Sequence, residues 1–410
     1  MSASSGRPAG AAGLETMSAY RWVILFVAWL AFLVSFIDRL TWANVALSVG
    51  GSLGLPVAAL GIFVTAFYVG YVICNALGGI ASDRIGGRAT LAISLSLLAA
   101  GTFVFSYTTS VLFGLIAQAV MGLAAGADYA SCVKLLVAWF DRTSRGRAMG
   151  VLLVASSLGV SVTNAVVPSL AAELGWRAVY RVLGVVTLLV AGCALVLLRD
   201  LPAGAARGGG VRASPARLLA NRNLLLLGLV GFAGLWGTWG FAFWANALMV
   251  KGRGLTSIEA GAVMSLVGIA AIIGKPLIGW LSDLLGGRCK WLAFATFVLF
   301  MVMLLVFGSL STPAGFAMAA PLVGLGAFLY SPLMAAMVAQ SSGPALAGSA
   351  AGVLAGFWQL GSVIVPVVVG MVFQATGSFL AAFATLACGP LLAAIGILFV
   401  REGDAVIPMS

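Results

Sequence analysis

Ten residues near position 80 return, in the same order of types, near position 280. Gly79-Ile-Ala-Ser-Asp83-Arg84-Ile-Gly86-Gly87-Arg88 comes back as Gly279-Trp-Leu-Ser-Asp283-Leu284-Leu-Gly286-Gly287-Arg288, a shift of 200 residues. Each copy lies between two apolar runs of helix length. A short polar turn repeated in one register between hydrophobic segments is the mark of two related halves. Any fold for this chain must therefore place the same turn after the second apolar run of each half.

Composition says what surrounds those halves. The chain is 62% hydrophobic and 8% charged, with a mean hydropathy of +1.14. These values exclude an ordinary soluble domain. Divided among twelve units, 410 residues leave about 34 each, a span of about 20 plus a short loop. The apolar runs predict spans near 22–47, 57–80, 89–109, 111–138, 147–171, 177–198, 223–248, 259–281, 290–311, 314–340, 347–373 and 377–400. The expected fold is an all-α membrane protein of twelve transmembrane helices in two pseudo-symmetric six-helix halves, 21–198 and 223–400. Residues 1–20 and 401–410 read as cytoplasmic tails. The stretch 199–222, with Pro202, Pro215, four glycines and five arginines, reads as a cytoplasmic linker.

The net charge of +11 points at first to nucleic acid, but its distribution excludes that partner. With the N-terminus inside, fifteen of the 22 basic residues fall on the cytoplasmic side. Only Arg177, Arg181, Lys251 and Arg253 fall opposite. This bias sets topology, with both ends in the cytoplasm. The first apolar run continues through Asp38-Arg39 as a full span, so it reads as retained and not as a cleaved signal.

Five cysteines lie on separate spans with no metal-ligand spacing and read as small packing residues. Histidine is absent, which excludes an imidazole relay. No nucleophile–base, metal or cofactor constellation appears and the phosphate-cradling loop pattern is missing. The chain is therefore expected to be neither an enzyme nor an ATP-driven pump. In span 7, Gly228, Gly231, Gly234, Gly237 and Gly240 recur every three residues. Because that spacing winds around a helix, it predicts either a helix that bends easily or one packed tightly on several sides.

Five ionisable residues fall inside predicted spans: Asp38, Arg39, Asp128, Lys134 and Lys275. A charge at that depth is costly and normally faces a partner or an aqueous cavity. With both acids ionised the five sum to +1, and with both protonated to +3, a balance suited to an anionic substrate. Asp38 and Arg39, adjacent on a helix, point about 100° apart and so have different roles. Arg39 is the candidate clamp for a carboxylate or phosphate, because guanidinium offers a bidentate fork. Asp38 is the candidate proton carrier; the alternative is a structural ion pair locking span 1 to a neighbour. Trp42 shares their side of the helix.

Asp128 is either a second proton site or a counter-ion. Lys134 is near enough to the helix end to snorkel. Lys275 lies some ~12 Å deeper than Asp283 at ~1.5 Å per residue, which favours a cavity-facing cation. Trp236, Trp239, Asn246, Tyr330, Trp358 and Gln359 in the second half, with Gln118 and Asn164 in the first, are uncharged candidates for the lining. Each also reads as an ordinary packing or hydrogen-bonding residue. An aromatic wall from Trp236, Trp239 and Trp358 facing a cationic first half would fit an amphipathic organic acid rather than an inorganic ion.

The paired loop resembles the turn joining helices 2 and 3, and its echo between helices 8 and 9, in the major facilitator superfamily of secondary transporters. Within it, the first half is similar to the anion:cation symporter group of sugar-acid and organic-anion carriers. The stretches that carry the likeness are Phe36-Ile-Asp38-Arg39-Leu-Thr-Trp, Trp139-Phe-Asp-Arg-Thr-Ser-Arg145-Gly-Arg147 and Leu174-Gly-Trp176-Arg177. That resemblance implies proton coupling at Asp38 and substrate anion binding at Arg39. It also implies that Gly79, Asp83, Arg84, Gly87 and Arg88, with Asp283 and Arg288, form a latch holding the halves in the outward-facing state. The chain departs from the group in having Gln118 where an arginine usually stands and Ala125 where a glutamate does; Leu284 replaces the basic residue of the first loop copy.

The expected function is import of a small organic carboxylate by proton symport through alternating access. Substrate contacts are expected from Arg39, Trp42, Lys275, Tyr330, Trp239, Trp358 and Gln359, and proton coupling from Asp38 and Asp128, with no cofactor or metal. The alternatives are an anion exchanger, a proton-coupled exporter and, more remotely, a ligand sensor that does not transport. The setting is expected to be a bacterial inner membrane, and the protein a monomer.

Overall fold

The computed structural model describes residues 9–200, 218, 220–342 and 346–402, without the side chains of 9–18, 76, 80, 83, 142, 143 and 347–349. The linker expected over 199–222 therefore falls mostly outside the described residues, as does the tail beyond 402. Twelve segments among the described residues are long and apolar enough to cross a bilayer. Helices are what such segments must form, because lipid offers no partner for backbone N–H and C=O groups.

In chain order the helices are α1 (Ala9–Ser52), α2 (Gly61–Ile85), α3 (Gly87–Phe105), α4 (Val111–Ala125), α5 (Asp128–Trp139), α6 (Arg142–Leu174) and α7 (Trp176–Leu197). The second half follows as α8 (Arg222–Arg253), α9 (Ser257–Leu284), α10 (Lys290–Ser309), α11 (Pro313–Ser342), α12 (Ala347–Thr376) and α13 (Phe379–Leu398). Local chemistry marks the ends. Ser110 caps α4, Asn221 caps α8 and Ser378 caps α13 through their side-chain oxygens. Thr256 and Glu259 form a reciprocal capping box on α9.

Two expectations change in detail. The fourth span, read as one helix over 111–138, breaks at Gly126-Ala127 into α4 and α5. A Cβ on Gly126 would lie 2.7 Å from the Tyr71 carbonyl of α2, so the close approach of α2 and the break coincide. The glycines of α8 prove to be packing sites in an unbroken helix. A Cβ at Gly231 would strike Trp358, one at Gly234 Tyr330, one at Gly237 Phe300 and Pro390, and one at Gly240 Leu386.

The halves repeat one packing scheme. In the first, α1 packs on α6 and α7, α2 on α4, and α3 on α7; in the second, α8 packs on α12 and α13, α9 on α11, and α10 on α13. Between halves, α2 lies against α12, α6 against α9, and α1 against α8.

These cross-half contacts gather at the end that holds residues 53–56 and 254–256. There Thr65 donates to the Val363 carbonyl at 2.6 Å, Ser161 to the Ser265 carbonyl at 3.3 Å, and Asn246 to Asn164 at 2.8 Å and Asn44 at 3.0 Å. Glycines let the backbones meet: a Cβ on Gly261 would lie 2.4 Å from the Asn164 carbonyl. At the other end the halves part. One apolar core runs through the first half and into the closed end of the second, whereas the open end of the second half has its own core around Ile278, Phe297, Met337 and Ile397. Gly146 and Gly150 on α6, Gly279 on α9, and Gly352 and Gly356 on α12 all face open space.

Candidate functional site

α1 carries the acid–base pair through the middle of the first half. Asp38 turns toward α7, where it accepts a hydrogen bond from the Thr187 hydroxyl at 2.7 Å. Its second oxygen is buried without a partner among the described residues. Asp38 and Gln118 are both electrostatic neighbours of the buried Tyr180 hydroxyl. The side chains gathered at Asp38 come from α1, α4 and α7 and include the Thr187 and Tyr180 hydroxyls.

Arg39 points the other way, onto α2. Its guanidinium carbon lies 4.3 Å from the Tyr71 ring centroid, 4.5 Å from Phe36, 5.7 Å from Phe67 and 6.0 Å from Tyr68. The residue is 4% exposed, and its Nε is buried without an acceptor among the described residues. No described carboxylate is within ion-pairing distance, the nearest electrostatic partner among acids being Asp128. Aromatic faces contribute about 0.5–2 kcal/mol each to a desolvated cation. A carboxylate fork would add charge-assisted hydrogen bonds that rings cannot make. This cation is therefore held in place but not neutralised.

Asp128 sits at the start of α5, where the break after Gly126 re-aims the chain. The Ser94 hydroxyl bonds to one carboxylate oxygen and to the Ala124 carbonyl, while the other carboxylate oxygen is buried without a partner among the described residues. Asp128 is an electrostatic neighbour of both Asp38 and Arg39. Three charges from α1 and α5 thus share one interior. Lys134, further along α5, donates to the Ser82 carbonyl at the end of α2 and so belongs to the loop end and not to this cluster.

The second half contributes differently. Lys275 on α9 reaches across to α6, where its Nζ donates to the Ser156 hydroxyl at 3.3 Å, and lies 5.4 Å from the Phe328 ring centroid. Trp239 (7% exposed) packs at 6.2 Å from both Phe36 and Tyr68, so it closes over the aromatic group around Arg39 from the opposite half. Trp42 stacks on Phe63 at 4.7 Å within the first half.

The remaining candidates are tied inside the second half. Tyr330 bonds to Thr238 at 2.9 Å and packs on Phe297. Trp358 donates to the Leu227 carbonyl, Trp236 donates to the Thr385 carbonyl, and Gln359 accepts from Ser362. The sequence pattern did not single out Phe67, Tyr68, Tyr71, Thr187, Ser94 or Ser156, and it marked Phe36 only as the start of a motif. The spacing of Phe67, Tyr68 and Tyr71 puts them on one side of α2, but aromatic residues in a span carry no such message until Arg39 is placed among them.

Residues 24–366 match the Major Facilitator Superfamily. The chain belongs to this superfamily. It is 25% identical over 398 residues to the probable galactarate/D-glucarate transporter GudP of Bacillus subtilis, covering 88% of this chain and 87% of that one. It is 28% identical over 371 residues to the membrane sensor protein UhpC of Salmonella typhimurium, covering 83% and 82%. A bacterial homologue of the human lysosomal transporter Spinster, solved inward-facing and occupied, matches with a TM-score of 0.78 at 15% identity, covering 93% of this chain and 96% of that one. That likeness establishes the fold: a multi-pass membrane protein with the superfamily's two six-span halves.

The superfamily loop between α2 and α3 shows how the halves finish their open ends. Gly86 has φ +93°, and Gly286 and Gly287 have φ +70° and +77°, conformations that disfavour other residues. In the first copy, Asp200 just beyond α7 accepts hydrogen bonds from the Gly87 and Arg88 backbone N–H at 2.8 and 3.1 Å, and Arg88 Nε donates to the Leu195 carbonyl at 2.8 Å. In the second, Glu402 beyond α13 accepts from the Cys289 and Lys290 backbone, and Lys290 Nζ donates to the Leu398 carbonyl at 2.7 Å. Each carboxylate sits where a helix N-terminus favours negative charge. Gly79 faces open space, Arg84, Asp283 and Arg288 are exposed, and the Asp83 side chain lies outside the described residues. Arg88 is thus bonded within its own half in this state.

Proposed function

We propose that this protein imports a small organic anion together with protons, by alternating access across a bacterial inner membrane. The observation that carries the reading is Arg39: a buried guanidinium at mid-span, fixed by four aromatic rings, with no described carboxylate paired to it. An incoming carboxylate supplies that partner. GudP, described as a probable transporter of galactarate and D-glucarate, supports an organic acid as cargo. Asp38 is the proton carrier: it is a buried acid with one hydroxyl partner, and Asp128 is the second acid close enough to sense it. Trp239 forms the wall from the second half.

The open end carries Arg84, Arg88, Arg145, Arg147, Arg199, Arg222, Arg288 and Lys290. By the positive-inside rule this end faces the cytoplasm, so the conformation is open inward and both termini are cytoplasmic. Periplasmic opening would follow when the contacts between α6 and α9 and between α2 and α12 break. The protein works as a monomer, since each chain holds both halves.

Uptake of labelled sugar acids and monocarboxylates into proteoliposomes, with and without an inward proton gradient, tests the reading. Accumulation should follow the gradient in wild type and be lost in Asp38→Asn, while counterflow persists. Uptake indifferent to the gradient in both proteins would replace symport with anion exchange. The similarity to UhpC, a membrane sensor, supports a second reading, that the chain binds an anion and signals; specific binding with no flux in liposomes would select it.

A further inference from the structure

Lys275 is a second cation within a span, half-buried and without a described carboxylate partner. A hydroxyl and one ring face, Ser156 and Phe328, are the contacts at its Nζ. Neither neutralises an ammonium group, and a charge at this depth is retained where it meets a counter-charge or an aqueous path. Its place along α9 supplies the path. Lys275–Ser156 lies on the open-end side of the other α6–α9 contacts; one turn beyond it, Gly279 faces open space, as do Gly150 and Gly146 on α6. The ammonium group therefore stands at the inner edge of the cleft between the halves.

The same turn of α6 locates Lys275 relative to Arg39. The Phe36 side chain, on which the Arg39 guanidinium stacks, packs at Gly159 of α6. Ser156, which holds Lys275, is three residues away, a rise of about 4.5 Å. Phe36, which carries the Arg39 guanidinium on its ring, and Lys275 thus meet α6 about one turn apart, one from each half, with Lys275 nearer the opening.

We propose that Lys275 is a second anion anchor and that the ligand is a small dianion, with one anionic group on Arg39 and the other on Lys275. The inference depends on the organic-anion reading above. A monoanion on Arg39 leaves the ammonium group uncompensated. A diacid offers one carboxylate to each cation, which a monoacid cannot do. Because the anchors belong to opposite halves, a dianion also ties the halves together through its own backbone, and a monoacid of the same length does not.

The test is equilibrium binding to the purified full-length protein, read by intrinsic tryptophan fluorescence, with two matched pairs: galactarate against galactonate, and succinate against butyrate. In at least one pair wild type should bind the diacid tenfold or more tighter, about 1.4 kcal/mol. Lys275→Gln should weaken the diacid about tenfold and leave the monoacid unchanged, removing the preference, and Lys275→Arg should restore it. Equal weakening of both acids by Lys275→Gln overturns the inference, as does a wild type with no preference in either pair. Binding of none of the four acids overturns the organic-anion reading itself, and the two failures are thereby told apart.

Discussion

Asn246 of α8 donates its side-chain amide to Asn164 of α6 at 2.8 Å, and to Asn44 of α1 at 3.0 Å, across the boundary between the two halves. The trio lies at the closed end and is largely buried. In a low-dielectric setting such amide pairs are directional where apolar packing is not.

Asn246→Ala removes both cross-half hydrogen bonds, each contributing about 1 kcal/mol. The closed end should then open more often. Spin labels at Ser52→Cys and Thr376→Cys, in a background where the five native cysteines are serine, read the separation across that end. The longer-distance population should grow severalfold on adding Asn246→Ala, and an unchanged distance distribution would rule out a gating role.

Tyr71→Ala opens the aromatic group around Arg39. The ring lost is the nearest, at 4.3 Å, and the change should weaken anion binding about two- to thirtyfold, the range of one cation–π contact of about 0.5–2 kcal/mol. Tyr71→Phe keeps the ring and should bind within a factor of about two of wild type. A titration in which both variants match wild type would show that the rings do not position Arg39.

Asp200→Asn and Glu402→Gln should have parallel consequences. Each replaces a carboxylate that caps a helix N-terminus with a neutral amide, at about 1 kcal/mol. Thermal unfolding in detergent should show a lowered midpoint for each, and the double variant should lose roughly the sum, since the sites lie in different halves. A strongly non-additive double variant would contradict independent capping.

Gly122→Ala and Gly352→Ala test where the helices touch. A Cβ at Gly122 would sit 1.8 Å from the Phe67 carbonyl, whereas one at Gly352 meets nothing within 4 Å. Overpacking of that kind costs about 1–3 kcal/mol or more. Gly122→Ala should lower the yield of monodisperse protein on size exclusion, and Gly352→Ala should leave it unchanged. Equal yields would mean that α2 and α4 leave room for a methyl group at Gly122.

The twelve spans, the two halves and the repeated turn were legible in the residue order, because hydrophobic length and a repeated polar punctuation are local properties of a chain in lipid. So was the placement of Asp38, Arg39, Asp128 and Lys275 within spans, since a charge within an apolar run is conspicuous without knowing what it touches. Their partners were not legible. Phe67, Tyr68 and Tyr71 are ordinary span residues until α2 lies beside α1, and Thr187 is some 150 residues from the Asp38 carboxylate it donates to. Trp358 and Tyr330 read as candidates for a cavity wall, yet Leu227 and Thr238 hold them within their own half. The break at Gly126 was not legible in the run over 111–138, because the close approach of the α2 backbone that accompanies it is a tertiary contact. Local hydrophobicity decided that this chain would become twelve helices, and helix packing decided which side of Arg39 meets aromatic faces and which end of the halves stands open.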